Sequence, residues 1–222
     1  MDILNYLRTW KDKKKMNYLV LVLVLIFISL TSVVFFLPTS FIDIEFSENV
    51  QGYMNPFLDF IMKAISWFGR TWISLIMVAL VALTFLLALH KKEALFVLLT
   101  LMVSPVNAAL KILISRPRPT EDFVTIVQAA QHQSFPSGHV SFYVVFFGFL
   151  VFLMLRHHHI PKPIRYTIIA FSLLLIFSVP FSRVYLGVHW LTDVTGGFIL
   201  GLIFLYGLIM LYLKNSKSKS GS

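Results

Sequence analysis

Residues 17–37 read NYLVLVLVLIFISLTSVVFFL, twenty-one positions without a charged side chain. One bilayer crossing takes about 20 apolar residues, so this run is long enough to span. No small-residue cleavage site follows it, and it is therefore expected to stay in the chain as a first transmembrane helix rather than leave as a signal peptide. Comparable runs recur at about 72–89, 94–114, 137–155, 166–181 and 188–213. The fold expected is an all-α, polytopic membrane protein of six transmembrane helices.

Composition agrees with that reading. Of 222 residues, 58% are hydrophobic and 13% charged, about half the charged fraction of a water-soluble domain. Mean hydropathy is +0.81. There is no cysteine, which removes disulfides, thiol nucleophiles and thiolate metal sites, so any chemistry must use oxygen and nitrogen groups. The formal charge of +9 would suit nucleic acid if it formed one patch, but the cations sit at the ends of hydrophobic runs. The partner expected is the bilayer, and no nucleic acid.

Before the first span, residues 1–16 combine Ile3, Leu4, Leu7 and Trp10 with Arg8, Lys11, Lys13, Lys14 and Lys15, the pattern of an amphipathic helix on an anionic leaflet. Residues 17–213 form the six-helix domain, and residues 214–222 read as a solvated, flexible tail. Between the first two spans, residues 38–71 carry Pro38, Asp43, Glu45, Glu48, Gly52 and Pro56, too much charge for a span, and predict a surface helical segment. Thirteen of the nineteen Lys and Arg residues fall on the side of both termini, which the positive-inside rule assigns to the cytoplasm. Six cations, Lys63, Arg70, Lys111, Arg116, Arg118 and Arg183, lie on or near the other face.

Three segments bring charge to that outer face. The first, Lys111 to Pro119, ends the third span at Pro117 and Pro119, which push Arg116 and Arg118 toward extended backbone. The second, Pro136-Ser137-Gly138-His139, opens the fourth span, and the free N–H groups of a helix start make an anion site. In the third, Ser182 to Asp193, His189 and Asp193 stand four residues apart, on one helical face and within hydrogen-bond reach. Each alone has an ordinary reading: snorkelling basic anchors, a helix cap with a chance histidine, a buried pair locking two helices. Together, in a topology derived without them, they place cations, two histidines, a carboxylate and a helix N-terminus on one face. Such a set suits phosphoryl transfer, which is mostly positioning and charge stabilisation.

The pattern Lys-x6-Arg-Pro, Pro-Ser-Gly-His and Ser-Arg-x5-His-x3-Asp resembles the signature of the type-2 phosphatidic acid phosphatase family of integral membrane lipid phosphatases. The resemblance implies that His189 is a nucleophile forming a phosphohistidine, that Asp193 fixes its tautomer, and that His139 is the general acid and then base, giving a bell-shaped pH dependence. It further implies that Lys111, Arg118, Arg183 and the N–H groups of Ser137 and Gly138 hold the phosphate oxygens.

No metal or other cofactor is expected. Glu121 and Asp122 are one flexible acidic pair, and His157, His158 and His159, pointing in different directions if helical, read as a basic interfacial turn on the cytoplasmic side. Gly196, Gly197 and Gly201 have the spacing of close helix packing, and Pro105 and Pro180 are expected to kink their spans. The substrate expected is a lipid phosphate at the extracytoplasmic face of the cell membrane. Undecaprenyl pyrophosphate comes first, ahead of phosphatidylglycerophosphate and phosphatidate, by resemblance to compact bacterial members of the family. The other class of function is a non-catalytic lipid-phosphate or anion transporter, which would not need His189 as a nucleophile. The sequence leaves the oligomeric state open.

Overall fold

A computed structural model describes residues 10–217, with side chains from 14 to 214. Nine α-helices occur among these residues: α1 (Trp10–Phe36), α2 (Phe41–Gln51), α3 (Pro56–Trp67), α4 (Thr71–Leu87), α5 (Lys91–Leu99), α6 (Val103–Ile114), α7 (Gly138–Arg156), α8 (Lys162–Tyr185) and α9 (Leu191–Lys217). A 3-10 turn, Thr100–Met102, joins α5 to α6.

Five stretches are long and apolar enough to cross a membrane: Lys14–Phe36, Lys91–Ile114, Gly138–Arg156, Lys162–Tyr185 and Leu191–Lys214. A sixth forms if α3 and α4, bent by 55° at Phe68–Arg70, are taken together. This is a multi-pass, all-α membrane protein with up to six spans. Residues 1–9 of the expected amphipathic helix lie outside the described residues, and its remainder runs without a break from Trp10 into the first span. The last helix likewise continues three residues past 214, and residues 218–222 lie outside the described region.

α7 is the centre of the bundle. Every residue from 140 to 150 is buried, so the helix is enclosed on all sides and packs against both α8 and α9. α1 is the opposite case. Its residues are mostly exposed, and its main neighbour is α9, as suits a helix on the lipid-facing rim. The glycines of α9 permit close approach to α7. A Cβ on Gly201 would meet Val144 Cβ at 2.7 Å, and one on Gly197 would meet the Ser137 carbonyl oxygen at 2.5 Å.

In the third span a 3-10 turn, Thr100–Met102, interrupts the helix just before Pro105, where the proline ring and its missing N–H act on the Leu101 carbonyl. Pro180 lies inside α8 as expected and lines an apolar cavity of about 260 Å³ with Phe46, Leu191 and Phe198.

The segment between the first two spans forms two helices. Ser40 caps α2 by accepting from the Asp43 N–H, and Asn55 caps α3 by accepting from the Leu58 N–H, with Pro56 at its first position. α3 packs against α8. The antiparallel run of the spans brings the C-terminal ends of α6 and α8 and the N-terminal starts of α7 and α9 to one end of the bundle.

Candidate active site

That end gathers all three charged segments. α6 stops at Ile114, and Ser115 takes a left-handed conformation (φ 49°), which turns the chain out of the helix before Pro117. Lys111, in the last turn, donates from Nζ to the carbonyl oxygens of Gln133 (2.5 Å) and Ser134 (2.9 Å). Arg118 donates from Nη1 to the Val188 carbonyl (2.6 Å) and from Nε to the His132 carbonyl (2.8 Å). Arg183 is buried and donates to Ser66 Oγ of α3, while its Nε has no partner among the described residues.

His189 sits in the loop before α9, with Nδ1 3.3 Å from Asp193 Oδ2 and Nε2 3.4 Å from Arg118 Nη1. The four-residue spacing therefore produces the expected pair, although the histidine precedes the helix instead of lying within it. His139 occupies the first turn of α7, and its Nε2 is buried and unpartnered among the described residues. Lys111, Arg118, Arg183, Gly138, His139 and His189 all line one cavity of about 650 Å³. Arg70, Trp67 and Trp72 line it too and are exposed, so an aromatic pair and a cation stand at its mouth.

Ser137 departs from expectation. Its N–H donates to the Asp193 carbonyl oxygen (2.9 Å), and its side chain is fully buried with Oγ unpartnered, so the N–H is not free to hold a phosphate oxygen. It joins α7 to α9 behind the cavity. Gly138 keeps its place on the cavity wall, at the first position of α7.

Four residues that sequence reasoning left out of the site support it from behind. Arg116 is 2% exposed and uses its whole guanidinium group. Nε donates to the Pro38 carbonyl (2.7 Å), Nη1 to Thr192 Oγ1 (2.7 Å) and to Asp193 Oδ1 (2.5 Å), and Nη2 to Asp43 Oδ2 (2.7 Å). Asp43, from α2, also accepts from the Thr192 N–H (2.9 Å). Ser134 Oγ and the Trp190 N–H (2.9 Å) donate to Asp193 Oδ2, the oxygen that faces His189. The Asp193 carboxylate is thus held by three donors before it orients the imidazole. The available signal was Asp43 itself, a carboxylate close to a span that needs a partner.

Gly69, in the bend between α3 and α4, is the fourth. A Cβ there would overlap the His139 ring and come within 2.9 Å of Tyr143 Cε2. Gly69→Ala is expected to push the His139 imidazole aside and lower kcat by about 100-fold, the scale of a 1 Å misplacement, with little change in melting temperature. Steady-state kinetics beside a thermal melt checks this, and an unchanged kcat would show that the ring has room.

Electrostatics favour a neutral His189. Burial, followed by the nearby charges of Arg118, Lys111, Arg183 and Arg116, holds its pKa well below the ordinary 6.5. An unprotonated Nε2 is the form that can attack phosphorus.

A profile of the PAP2 superfamily matches residues 92–217, which contain every motif described above. Phosphatidylglycerophosphatase B of Bacillus subtilis (strain 168) is 29% identical over 152 residues, covering 68% of this chain and 73% of that protein. Among solved structures, the transmembrane PAP2-type phosphatidylglycerolphosphate phosphatase of Bacillus subtilis superposes with a TM-score of 0.77 at 24% identity, covering 88% of this chain and 96% of that one. LpxE of Aquifex aeolicus gives a TM-score of 0.56 at 22% identity, over 78% and 94% of the two chains. At these identities the two superpositions establish a shared fold.

Proposed function

Because the chain belongs to the PAP2 superfamily and is a membrane phosphatase of it, we propose that it removes phosphate from a lipid through a phosphohistidine at His189, without a metal ion. The observation that carries this reading is the His139–His189 pair on one cation-lined cavity, with His189 backed by a carboxylate that is itself fixed by Arg116.

In this reading the Nδ1–H of His189 is donated to Asp193, and the lone pair is carried by Nε2, on the cavity side beside Arg118 Nη1. Nε2 forms a bond to phosphorus as the P–O bond to the lipid, or to its remaining phosphate, breaks on the opposite side. His139 gives its proton to the departing oxygen. Water then attacks the phosphohistidine, His139 takes the proton from it, and the N–P bond breaks to release phosphate. Lys111, Arg118 and Arg183, with the Gly138 N–H at the positive end of α7, hold the nonbridging oxygens as charge shifts between them.

Phosphatidylglycerophosphate is the first substrate, because phosphatidylglycerophosphatase B and the superposed transmembrane phosphatase of Bacillus subtilis are both named for that lipid. Undecaprenyl pyrophosphate, placed first on sequence grounds, is the second reading, and phosphatidate the third. The specific support for the diphosphate is a cavity of about 650 Å³ with four cations on its wall, room and charge enough for two phosphoryl groups. The sidedness follows from the cation distribution, with both termini in the cytoplasm and the site facing outward. Phosphate release from the three lipids by detergent-purified protein in excess EDTA tests the reading and ranks the substrates. No release from any of them, with lipid phosphates still bound, would point to a binding or transport protein.

A pH dependence follows from the His189 environment. Protonation of Nε2 blocks attack, and its pKa lies below 6.5, so kcat/KM is expected to hold up as pH falls past 6.5 and to drop only below it. Arg118→Gln removes the largest of the charges that lower that pKa, so the acid limb is expected to move to higher pH as the overall rate falls. A pH profile of both proteins checks the direction; an unmoved limb would assign it to another group.

A further inference from the structure

We propose that His90, His157 and His159 bind a divalent transition-metal ion of the zinc class at the end of the bundle opposite the active site. The starting observation is a departure from the sequence. Three consecutive histidines would diverge if helical, but α7 ends at Arg156, and His157 takes the non-helical cap conformation (φ −85°, ψ 76°). His157 and His159 therefore turn toward each other, with ring centroids 5.1 Å apart. His90, from the turn between α4 and α5, completes the group at 5.1 Å from His157 and 5.3 Å from His159.

One ring nitrogen from each residue lies within 4.8 Å of the other two. Tetrahedral zinc with Zn–N bonds of about 2.0–2.1 Å needs ligand nitrogens about 3.4 Å apart, so ring shifts of about 1 Å close the site. The second observation is His157 itself. It is 9% exposed, and its Nε2 makes no hydrogen bond among the described residues and has only the Glu93 carboxylate nearby, at 3.4 Å, a buried polar atom left open to a metal ion.

The surroundings suit a cation. Glu93 Oε1 lies 3.4 Å from His157 Nε2 and accepts from the Tyr212 hydroxyl (2.5 Å), which places a held carboxylate beside the metal-binding imidazole. The negative end of the α7 dipole ends at His157, and the Phe85 ring packs against both His90 and His157 as an apolar wall. Two nearby cations are engaged elsewhere. Lys92 Nζ donates to the Tyr212 carbonyl (2.5 Å), and Arg156 lies over the Tyr212 ring at 5.5 Å. Imidazole nitrogens select zinc, copper or nickel over magnesium or calcium, which take oxygen.

Nineteen residues of α7 separate this group from the candidate active site, about 28 Å at 1.5 Å per residue. The ion would take no part in the reaction. It would clamp the α4–α5 turn to the α7–α8 turn and, through Glu93 and Tyr212, to α9, the helices that carry His139 and Asp193 at their other ends.

Protein free of any polyhistidine tag, stripped with chelator and dialysed in detergent, is titrated with Zn²⁺ while bound zinc and melting temperature are measured. One zinc per chain is expected, with a zinc-dependent rise in melting temperature that excess Mg²⁺ does not reproduce. His157→Gln, His90→Gln and His159→Gln are each expected to weaken binding by at least about tenfold. His159 is exposed, so its variant keeps the fold even if the buried His157→Gln does not. Zinc uptake by the wild type no greater than by the triple variant, or an affinity unchanged in His159→Gln, would overturn the assignment.

Discussion

Replacing His189 with alanine is expected to lower kcat for phosphate release by at least about 10⁴-fold, while the protein still folds and still binds lipid phosphate. The size of the effect follows from what remains. Lys111, Arg118, Arg183 and His139 still line the cavity and still hold the anion, but no other side chain on that wall is an unprotonated nucleophile backed by a carboxylate. Water would then have to attack directly, without the covalent step that divides the barrier. The check is single-turnover release on a short-chain substrate, with circular dichroism and a thermal melt to confirm folding. A loss of less than about tenfold would mean that His189 only positions the phosphate.

The second large effect is on stability. Arg116→Met is expected to cost about 3–5 kcal/mol, because it leaves Asp43 and Asp193 buried without their shared cation. For a chain of this size that is a fall of roughly 10 °C in melting temperature. Activity should fall too, since Asp193 loses one of the groups that aim it at His189. Arg116→Lys is expected to rescue little, because an ammonium group cannot span the Pro38 carbonyl, Thr192 and both carboxylates at once. Asp43→Asn is the milder change, as the Asp193 contact survives. A melting temperature within about 2 °C of the wild type would show that the bridge contributes little.

What the sequence made legible is what is encoded locally. A run such as 17–37 carries its span in its own length and hydropathy, and the pair His189 and Asp193 carries its contact in a spacing of four. The candidate site residues were placed on one face by counting spans, and five of the six residues named for phosphate contact or proton transfer around His189 do line its cavity: Lys111, Arg118, Gly138, His139 and Arg183. Ser137 does not, because its N–H is taken by the carbonyl of Asp193, a residue of another helix.

Contacts set only by tertiary packing left no local trace. Asp43 and Arg116 meet across 73 positions, with nothing periodic to join them. Asp43 also had a sufficient local explanation, since Ser40 and Asp43 bond each other at the start of α2. Gly69 reads locally as a turn residue, and its closeness to His139 depends on where the α3–α4 bend meets the start of α7. The convergence of His157 and His159 has the same origin: it depends on where α7 ends and on His90, 67 positions away.

The most direct measurement is to look for the covalent intermediate. Protein is mixed in chelator with a lipid phosphate labelled in its terminal phosphoryl group, quenched in alkaline denaturant, and mapped by mass spectrometry, with His139→Ala included to slow the hydrolysis of any adduct. The expected result is an alkali-stable, acid-labile phosphoryl group on His189, accumulating further in His139→Ala and absent from His189→Ala. Steady phosphate release with His189 unlabelled under every quench, or with the label on another residue, would contradict histidine catalysis at this site.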